Sequence, residues 1–382
     1  MAQEAEWKGG RDVTEKFIMK CTRFLLFLVP ALALAMPSLA QVRPLTLSDS
    51  QEAGSVIVFP KFIKGTVSVD GVTTPMTEIE LGVVCPVGAT CAEHEAVKIR
   101  FHWVCGAVEG VNSQICRENN FDITTTVNGK VVFGPDAIPI PGSPAVTPST
   151  PPAALCQTGY LIGWVISPTN DLPIKFDGLI GDAVIRESSS SVGAYSAIPI
   201  QAATGLATGA AITTGTDPLT GGPTLVFDGA DGHYLAAPGT VKGDVKYDRT
   251  TGTGGTLSQT FLTLLTLDVR SDQPNYPTGV DINFYKPDET LVSESLEFVC
   301  FTEVSLTGID PNLNQSFMGR KGVFLTAAAY KFPINGIFDT AGPVTLLGVV
   351  ETVEGPSLSE RLYFTGTSND SDPVATTFVP ER

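Results

Sequence analysis

The sequence predicts an all-β protein, built from two tandem antiparallel β-sandwich-like modules with little helix beyond an N-terminal signal peptide. Three observations predict this class. The 382 residues include 38 Gly and 28 Pro, which favour turns over long helices. Short segments alternate apolar and polar residues with the period of a half-buried strand. Similar segments also recur in the same order along the chain, which predicts a duplicated module.

Residues 19–40 have the three parts of a cleaved secretory signal peptide. Two basic residues precede an apolar stretch over 24–36, and Ser-Leu-Ala at 38–40 is a small-x-small cleavage site. The alternative is a membrane anchor, which normally needs about 20 apolar residues. Residues 1–18 lie upstream of this complete signal, so we expect them to be an over-extended start and Met19 to be the natural one.

The strand Val97–Trp103 shows the alternation most clearly. It reads VKIRFHW, so a period of two places its apolar side chains inside and Lys98, Arg100 and His102 in water. The V-x-I-x-F pattern returns in Val280–Phe284. We therefore expect each of these strands to have one buried face.

A second kind of strand is apolar throughout. Gly159–Ile166 reads GYLIGWVI and predicts a strand that is central in its sheet or covered on both faces. Short turns between successive strands favour antiparallel pairing, and two such sheets bury their apolar sides by packing face to face.

The repeat consists of blocks that match in the same order and at similar spacing. The alternative is that any β protein shows apolar runs every ~8–12 residues. The matched blocks are Pro60–Asp70 with Pro238–Asp248, Thr77–Val84 with Thr263–Val269, Val97–Phe101 with Val280–Phe284, Ile115–Thr125 with Val299–Ile309, Gly159–Ile166 with Gly322–Ala329, Pro173-Ile174 with Pro333-Ile334, and Leu179–Ile185 with Leu346–Val353.

These blocks and the shifts in composition predict the domain boundaries. A Pro-rich stretch is expected to be an exposed loop, and a stretch of small uncharged residues is expected to be a linker. The predicted parts are module 1 at 41–200 with its Pro-rich loop at 134–155, the linker at 201–225, module 2 at 226–353, and a C-terminal strand or tail at 354–382.

Six cysteines remain after the signal peptide, and an even number in an exported chain predicts disulfides. Cys85 and Cys91 bracket the turn-like PVGAT, and Cys105 and Cys116 bracket GAVEGVNSQI, so each pair is expected to close a local loop. Cys156 and Cys300 then remain, as a third pair or as free thiols.

A zinc site is the rival interpretation of the cysteines, with Cys91-x-x-His94 as half of it. Structural zinc sites usually contain two such paired units, and this chain has one. We therefore expect disulfides, with no metal and no cofactor.

The charge balance excludes one large class of partners. Removing residues 1–40 removes five basic and four acidic residues and leaves 19 Lys+Arg against 36 Asp+Glu, a net charge of −17. Such a surface is repelled by nucleic acid and by anionic lipid. We expect no nucleic-acid partner and no stable membrane span after signal removal; a surface polymer or an envelope component is the expected kind of partner.

No motif in the chain specifies a reaction. The chain lacks H-E-x-x-H, G-x-S-x-G and a Gly-rich phosphate loop. Among the three histidines, His94 lies between two glutamates and His102 is expected on a solvated strand face. The segment Asp228–Tyr234 reads DGADGHY; calcium binding is one interpretation, and a plain turn is the favoured one. We assign no catalytic, cofactor-binding or metal-binding residue.

Carbohydrate chemistry stays open because it needs no sequence motif. Two carboxylates of a glycosidase can meet only in the fold, and the chain has many acids. Trp103, Tyr160 and Trp164 are candidates for a sugar-binding or surface-binding platform, although their apolar faces favour core packing.

The strings AGSVIVFPKF, V-x-I-x-F-x-x-V-C, TGYLIGWVI and PIKFDGLIGDAVI occur in this order after the signal peptide. In this respect the chain resembles a group of uncharacterised exported proteins of environmental bacteria. The resemblance covers most of the chain after residue 40 and implies an exported β-rich protein, without implying a function. The chain departs from it by the Pro-rich insertion and by Tyr285–Asp288, which replaces the Val104–Cys105 region in the second module.

Three functions follow as hypotheses, all for an exported protein that is secreted, periplasmic or on the cell surface. The first is a non-enzymatic β-sandwich protein with a structural, adhesive or surface-binding role. The alternatives are a secreted hydrolase acting on carbohydrate and a calcium-dependent binding module.

Overall fold

The computed structural model describes residues 47–106, 116–137, 150–217, 221–246, 257–267, 278–286, 288–314, 323–331, 342–355, 360–365, 373–374 and 376–378. The predicted signal peptide at 19–40 and residues 1–18 lie outside these ranges, as does most of the Pro-rich loop at 134–155. Leu45–Arg382 forms one compact unit. Within the described ranges, no helix has the length and apolar character needed to cross a membrane.

The described residues are nearly all β, and the strands form several small antiparallel sheets, as the sequence predicts. One four-residue helix, α1 (Leu306–Ile309), is capped by Ser305, whose side chain accepts from the backbone N–H of Gly308. The strands up to residue 200 are β1 (Val56–Ile63), β2 (Thr66–Val69), β3 (Val72–Pro75), β4 (Thr77–Val83), β5 (Ala96–Cys105), β6 (Glu118–Thr126), β7 (Lys130–Phe133), β8 (Thr158–Ile166), β9 (Leu179–Ser188), β10 (Ser191–Ser196) and β11 (Ile198–Ile200).

The later strands continue the same style of short antiparallel pairing. They are β12 (Gly215–Thr216), β13 (Pro223–Phe227), β14 (Ala237–Pro238), β15 (Thr240–Val245), β16 (Leu257–Leu265), β17 (Thr278–Tyr285), β18 (Leu291–Phe298), β19 (Phe301–Ser305), β20 (Val323–Lys331), β21 (Gly342–Val344), β22 (Leu347–Gly355), β23 (Glu360–Thr365), β24 (Pro373–Val374) and β25 (Thr376–Phe378).

Two sheets made from β1 and β4–β11 share one hydrophobic core, and together we call them the first sheet pair. Their strand orders are β11-β1-β8-β5-β6 and β10-β9-β4-β7. The core takes Ile99 and Phe101 from one sheet and Ile79 and Leu81 from the other. These residues alternate with polar ones in sequence, so the period of two does select the buried face, as predicted.

The second sheet pair, built from β15–β20, β22 and β23 with β21 added beside β20, repeats the strand order of the first apart from β11, which has no counterpart. Its sheets run β15-β20-β17-β18 and β23-β22-β16-β19, which matches β1-β8-β5-β6 and β10-β9-β4-β7 position by position. The V-x-I-x-F strands β5 and β17 occupy equivalent places, and so do the apolar strands β8 and β20. The predicted match of Ile115–Thr125 with Val299–Ile309 joins strands that are not equivalent, because β6 corresponds in sheet order to β18 and not to β19.

A third core covers the outer face of the larger sheet of the first pair. It contains Tyr160 and Trp164 of β8 together with Leu225, Phe227 and Phe378 from the small sheet β12-β13-β25. Residues 201–225, predicted as a linker, contribute buried residues to this layer, among them Ala202 and Ile212. The apolar run of β8 is therefore explained, because both faces of this strand are buried.

A β-bulge in β1 redirects one lysine out of the first core. The pairing of β1 with β8 shifts between Phe59 and Phe62, so that both phenylalanines enter the same core. Lys61 then points toward the second sheet pair, where its Nζ lies 2.6 Å from Oε2 of Glu351 and 2.9 Å from Oε2 of Glu303. Lys61 is 0% exposed and Glu351 is 1% exposed, so this ion pair joins the two sheet pairs away from water.

The backbone of Lys61 is held by Tyr195 of β10. The Lys61 N–H donates to the Tyr195 hydroxyl at 2.9 Å, and that hydroxyl donates to the carbonyl of Lys61. Complete burial raises the pKa of Tyr195, so the hydroxyl keeps its proton and stays a donor. The Tyr195 hydroxyl thus satisfies both backbone groups of Lys61 at the bulge.

Three disulfides are present, and their pairing corrects part of the prediction. Cys85–Cys91 closes the predicted local loop. Cys105 pairs with Cys156, and Cys116 pairs with Cys300; the predicted Cys105–Cys116 bond and the third pair Cys156–Cys300 are wrong.

The physical reason for this pairing is strand adjacency. Cys105 ends β5 and lies opposite Gly159 of β8, so Cys156, three residues before Gly159, arrives beside it. Cys116 bonds instead to Cys300 in the third core, and the Cys116–Cys300 disulfide joins the first sheet pair to the second.

We expect Lys61→Met to lower the free energy of unfolding by about 3–5 kcal/mol, because it leaves the buried carboxylate of Glu351 without its cation. Adding Glu351→Leu should restore much of the loss, and urea unfolding of the single and double variants measures this. Lys130→Met is the matched control, since the exposed Lys130–Glu80 pair should contribute only about 0–1 kcal/mol. A loss for Lys61→Met no larger than for Lys130→Met would contradict the expectation.

We expect removal of Cys116–Cys300 to destabilise the protein more than removal of Cys85–Cys91. The bonds span 184 and 6 residues, and the chain-entropy relation gives about 5 and about 2 kcal/mol respectively. The test compares the double alanine variants of each pair by thermal and urea unfolding. Equal losses would show that loop closure does not dominate the effect of these bonds.

Candidate functional site

The outer face of the larger sheet in the first pair carries an ordered set of polar side chains. The register places Arg100 between Asp122 and Trp164, and places His102 between Asn120 and Ile162. One step further along the strands, Glu118 and Tyr160 flank Val104. The alternation predicted for β5 is therefore present, and it brings polar groups of three strands together.

His102 is buried on this face, so the predicted solvated position is wrong. It is 1% exposed, its ring stacks on Trp164 with centroids 4.7 Å apart, and Phe378 contacts it edge-on at 6.1 Å. Period two places His102 on the face away from the first core, as predicted, but β13 and β25 cover that face. The covering residues are far away in sequence, and no local pattern around His102 signals them.

Glu118 holds the histidine ring in place. His102 Nδ1 lies 3.0 Å from Glu118 Oε2, and both side chains are buried. A carboxylate only accepts, so Nδ1 carries the proton, and in the neutral ring Nε2 is left as an acceptor. Among the described residues His102 Nε2 is buried and has no hydrogen-bond partner.

Tyr160 lies near the same carboxylate. Burial raises the pKa of Tyr160 well above its ordinary value, and the charge of Glu118 raises it further. Its hydroxyl is also buried without a partner in the described part of the chain. The His102–Glu118–Tyr160 row is therefore a polar line enclosed in an apolar layer.

A four-membered ion network borders the row on its open side. Arg100 donates from Nε and Nη2 to the two oxygens of Asp122 at 2.9 and 3.1 Å. Lys98 Nζ lies 2.7 Å from Asp171 Oδ1 and 3.0 Å from Asp122 Oδ2. Two cations and two carboxylates balance, so the network carries no net charge.

The network shifts the pKa of its members in the directions that its geometry requires. Hydrogen bonds to Asp171 and Asp122 raise the pKa of Lys98, and the hydrogen bond to Asp122 raises that of Arg100. Partial burial raises the pKa of Asp122, but hydrogen bonds from Arg100 and Lys98 outweigh burial and leave it below its ordinary value. The ionised form of Asp122 therefore stabilises the fold.

A cavity of about 250 Å³ lies between the row and the covering layer, and we call it the His102 cavity. Its walls combine apolar side chains with the polar ends of the row and the network. The residues that line it include Arg100, His102, Asn120, Trp164, Leu172 and Leu225.

The three aromatic candidates from the sequence have separate places. Trp103 is in the first core, where its Nε1 donates to the carbonyl of Pro152 at 3.1 Å. Tyr160 and Trp164 are in the third core, and Trp164 also lines the His102 cavity. No two of them form an exposed platform, because all three are buried.

The described residues contain no site that supports the zinc hypothesis or the calcium hypothesis. Cys91 is bonded to Cys85, and His94 is exposed, with its Nε2 3.6 Å from Oε1 of Glu93. Asp228 accepts from the backbone N–H of Ala230 and lies 2.8 Å from His233 Nδ1, which is the local pattern of a turn. No group of three or more His, Cys, Asp or Glu side chains suited to a metal ion occurs in the part of the chain that the structure describes.

A larger groove, of about 590 Å³, crosses the smaller sheet of the first pair. Glu80 and Asp182, which lie directly opposite each other on β4 and β9, both line it. Each carboxylate has a partner of its own: Lys130 pairs with Glu80, and the Ser196 hydroxyl donates to Asp182 at 2.8 Å. Two carboxylates from neighbouring strands thus line one groove, and each is already paired with a group of its own.

The chain matches no protein-family model, and no curated protein matches its sequence. Three solved structures that resemble parts of the chain have TM-scores between 0.11 and 0.18.

Two of the compared structures are of infectious bursal disease virus. The T=1 particles derived from the virus have 9% identity and a TM-score of 0.18, over 87% of this chain and 74% of that chain. The Gx strain has 11% identity and a TM-score of 0.17, over 87% and 73%. The CupB6 tip adhesin from Pseudomonas aeruginosa has 10% identity and a TM-score of 0.11, over 82% and 97%.

We expect the ion network to make stability depend on pH in the acidic range. The lowered pKa of Asp122 means that its contribution is present above the unfolded-state value of about 3.9 and is lost as pH falls through the folded-state value. Asp122→Asn should cost about 1 kcal/mol at pH 7, with a smaller difference from the natural protein at pH 3.

Urea unfolding between pH 3 and pH 7 measures this difference. Asp244→Asn, at an exposed position of β15, is the control for the loss of one carboxylate. A difference between Asp122→Asn and the natural protein that stays constant across this range would contradict the assignment.

Proposed function

We propose that the protein is an exported, non-enzymatic β-sandwich protein with a structural, adhesive or surface-binding role. In this proposal it consists of two tandem sandwich modules that arose by duplication, and residues 19–40 direct export and are removed. The single observation that best supports the proposal is that the two sheet pairs are firmly joined.

The two sheet pairs are joined by three independent means. Cys116–Cys300 joins them covalently, Lys61 joins them through Glu351 and Glu303, and the third core joins them through apolar contacts. A hydrolase whose domains close over a substrate needs a hinge, and these bonds oppose relative movement of the two pairs. Rigidly joined modules suit a protein that holds a fixed position or transmits mechanical load.

The disulfides also support export. They persist in oxidising compartments and are rare in the cytosol, and six cysteines of this chain are bonded. The bond between Cys116 and Cys300, which connects the two sheet pairs, favours folding after export. A secreted, periplasmic or cell-surface location is therefore part of the proposal.

The test uses the protein exported from Met19 by a bacterial host. N-terminal mapping should show Gln41 as the first residue, and the exported protein should be retained by insoluble polysaccharide particles or isolated envelopes without releasing soluble product. A retained signal segment would overturn the export step, and failure to adsorb to any of these surfaces would overturn the surface-binding role.

A secreted hydrolase acting on carbohydrate is the second candidate, favoured by Glu80 and Asp182 facing each other in the larger groove. In such an enzyme one carboxyl group would donate a proton to the leaving oxygen, and the other would act as base or nucleophile. Product release that disappears in both Glu80→Gln and Asp182→Asn, with unchanged unfolding curves, would establish this function in place of the first.

A further inference from the structure

The His102 cavity has the features of a ligand-binding site, and these features do not contribute to the rigidity of the scaffold. A scaffold gains nothing from leaving about 250 Å³ open beside a buried histidine. Burying a polar atom without a partner costs free energy, and His102 Nε2 is such an atom among the described residues. A ligand that donates a hydrogen bond there would remove that cost.

The polar groups of the cavity supply both kinds of hydrogen bond. With its ring neutral and Nδ1 donating to Glu118, His102 accepts through Nε2. Asn120 is exposed on the rim, where its amide can both donate and accept. Arg100 uses Nε and Nη2 on Asp122, which leaves Nη1 as a further donor. The site therefore suits a molecule with several hydroxyl groups.

The charges on the rim argue against an ionic ligand. Arg100 and Lys98 are already paired with Asp122 and Asp171. An anion would compete with these carboxylates for the cations, and a cation would have to displace Lys98 or Arg100. A neutral molecule meets neither obstacle.

The walls and the volume limit the size and shape of the ligand. Trp164, Leu172 and Leu225 provide apolar surface beside the polar groups. Ligand pockets for drug-sized molecules usually measure roughly 300–1,000 Å³, so this cavity takes a smaller molecule, of about one ring. A sugar ring combines apolar ring faces with hydroxyl groups at its edge.

We propose that the His102 cavity binds a single neutral sugar residue, presented at the end of a surface polysaccharide chain. The inference rests on the proposed surface-binding function and names its ligand class. His102 Nε2 and the Asn120 amide hold hydroxyl groups, and the apolar wall formed with Trp164 packs against the ring. The covering strands β13 and β25 then form one side of the site.

The test titrates the exported protein with free glucose, galactose and N-acetylglucosamine, with inorganic phosphate as the charged comparison. Tryptophan fluorescence and the melting temperature report binding, because a ligand of the native state raises its stability. We expect saturation with at least one sugar at a Kd on the order of 1 mM, and no saturation with phosphate. Saturation with phosphate alone, or with none of these molecules, overturns the inference.

Two pairs of variants locate the binding. Trp164→Phe should abolish the fluorescence response, and Trp103→Phe, in the first core, should retain it. Asn120→Ala should raise the Kd about 5- to 10-fold through the loss of its hydrogen bonds. Asn283→Ala, on a strand of the second sheet pair, should leave the Kd unchanged. A response that persists in Trp164→Phe and an unchanged Kd in Asn120→Ala would place the sugar elsewhere and overturn the inference.

The same variants separate this inference from the function on which it rests. Adsorption to particles that is equal for Asn120→Ala and the natural protein, with no sugar titration, means that the surface role stands and the cavity is not its site. Sugar binding without adsorption to any surface means that the cavity binds its ligand and the surface role is wrong.

Discussion

The buried ammonium group of Lys61 constrains the rest of the structure. A charged lysine with no solvent exposure needs an opposite charge beside it, and Glu351 and Glu303 both come from the second sheet pair. The first sheet pair can therefore not complete itself alone. The bulge that aims Lys61 contains Pro60, a residue that interior strands accept mainly at bulges. The bulge in β1 thus places Lys61 where the two sheet pairs meet.

The sequence predicts those parts of the fold that depend on neighbours along the chain. Alternation in β5 correctly separates Ile99 and Phe101 from Arg100 and His102, and the turn between Cys85 and Cys91 closes as expected. Features that depend on contacts between segments distant in sequence cannot be predicted in this way. Cys105 bonds to Cys156 because β5 and β8 are adjacent, and His102 is buried because Phe378 lies over it. The candidate cavity depends on the same distant contacts, so its residues carry no local signal.

Because the two sheet pairs share their strand order apart from β11, their equivalent faces can be compared directly. The outer face of the first pair's larger sheet is covered by β13 and β25, and it holds the polar row and the cavity. At the corresponding face of the second pair, Tyr285, Leu291 and Phe324 are 42%, 51% and 42% exposed, with the two rings 6.4 Å apart. The same arrangement of strands therefore presents an enclosed polar site in one half and an open apolar surface in the other.

The cover provided by β25 has a consequence for the order in which the chain folds. This strand is synthesised after every strand of the sheet that it covers, so Phe378 contacts His102 and Trp164 only after residue 378 has been made. Contacts of such long separation form slowly, and exposed apolar surface invites aggregation in the meantime. The outer face of the first sheet pair is therefore completed last, although the strands of its own sheet are made first.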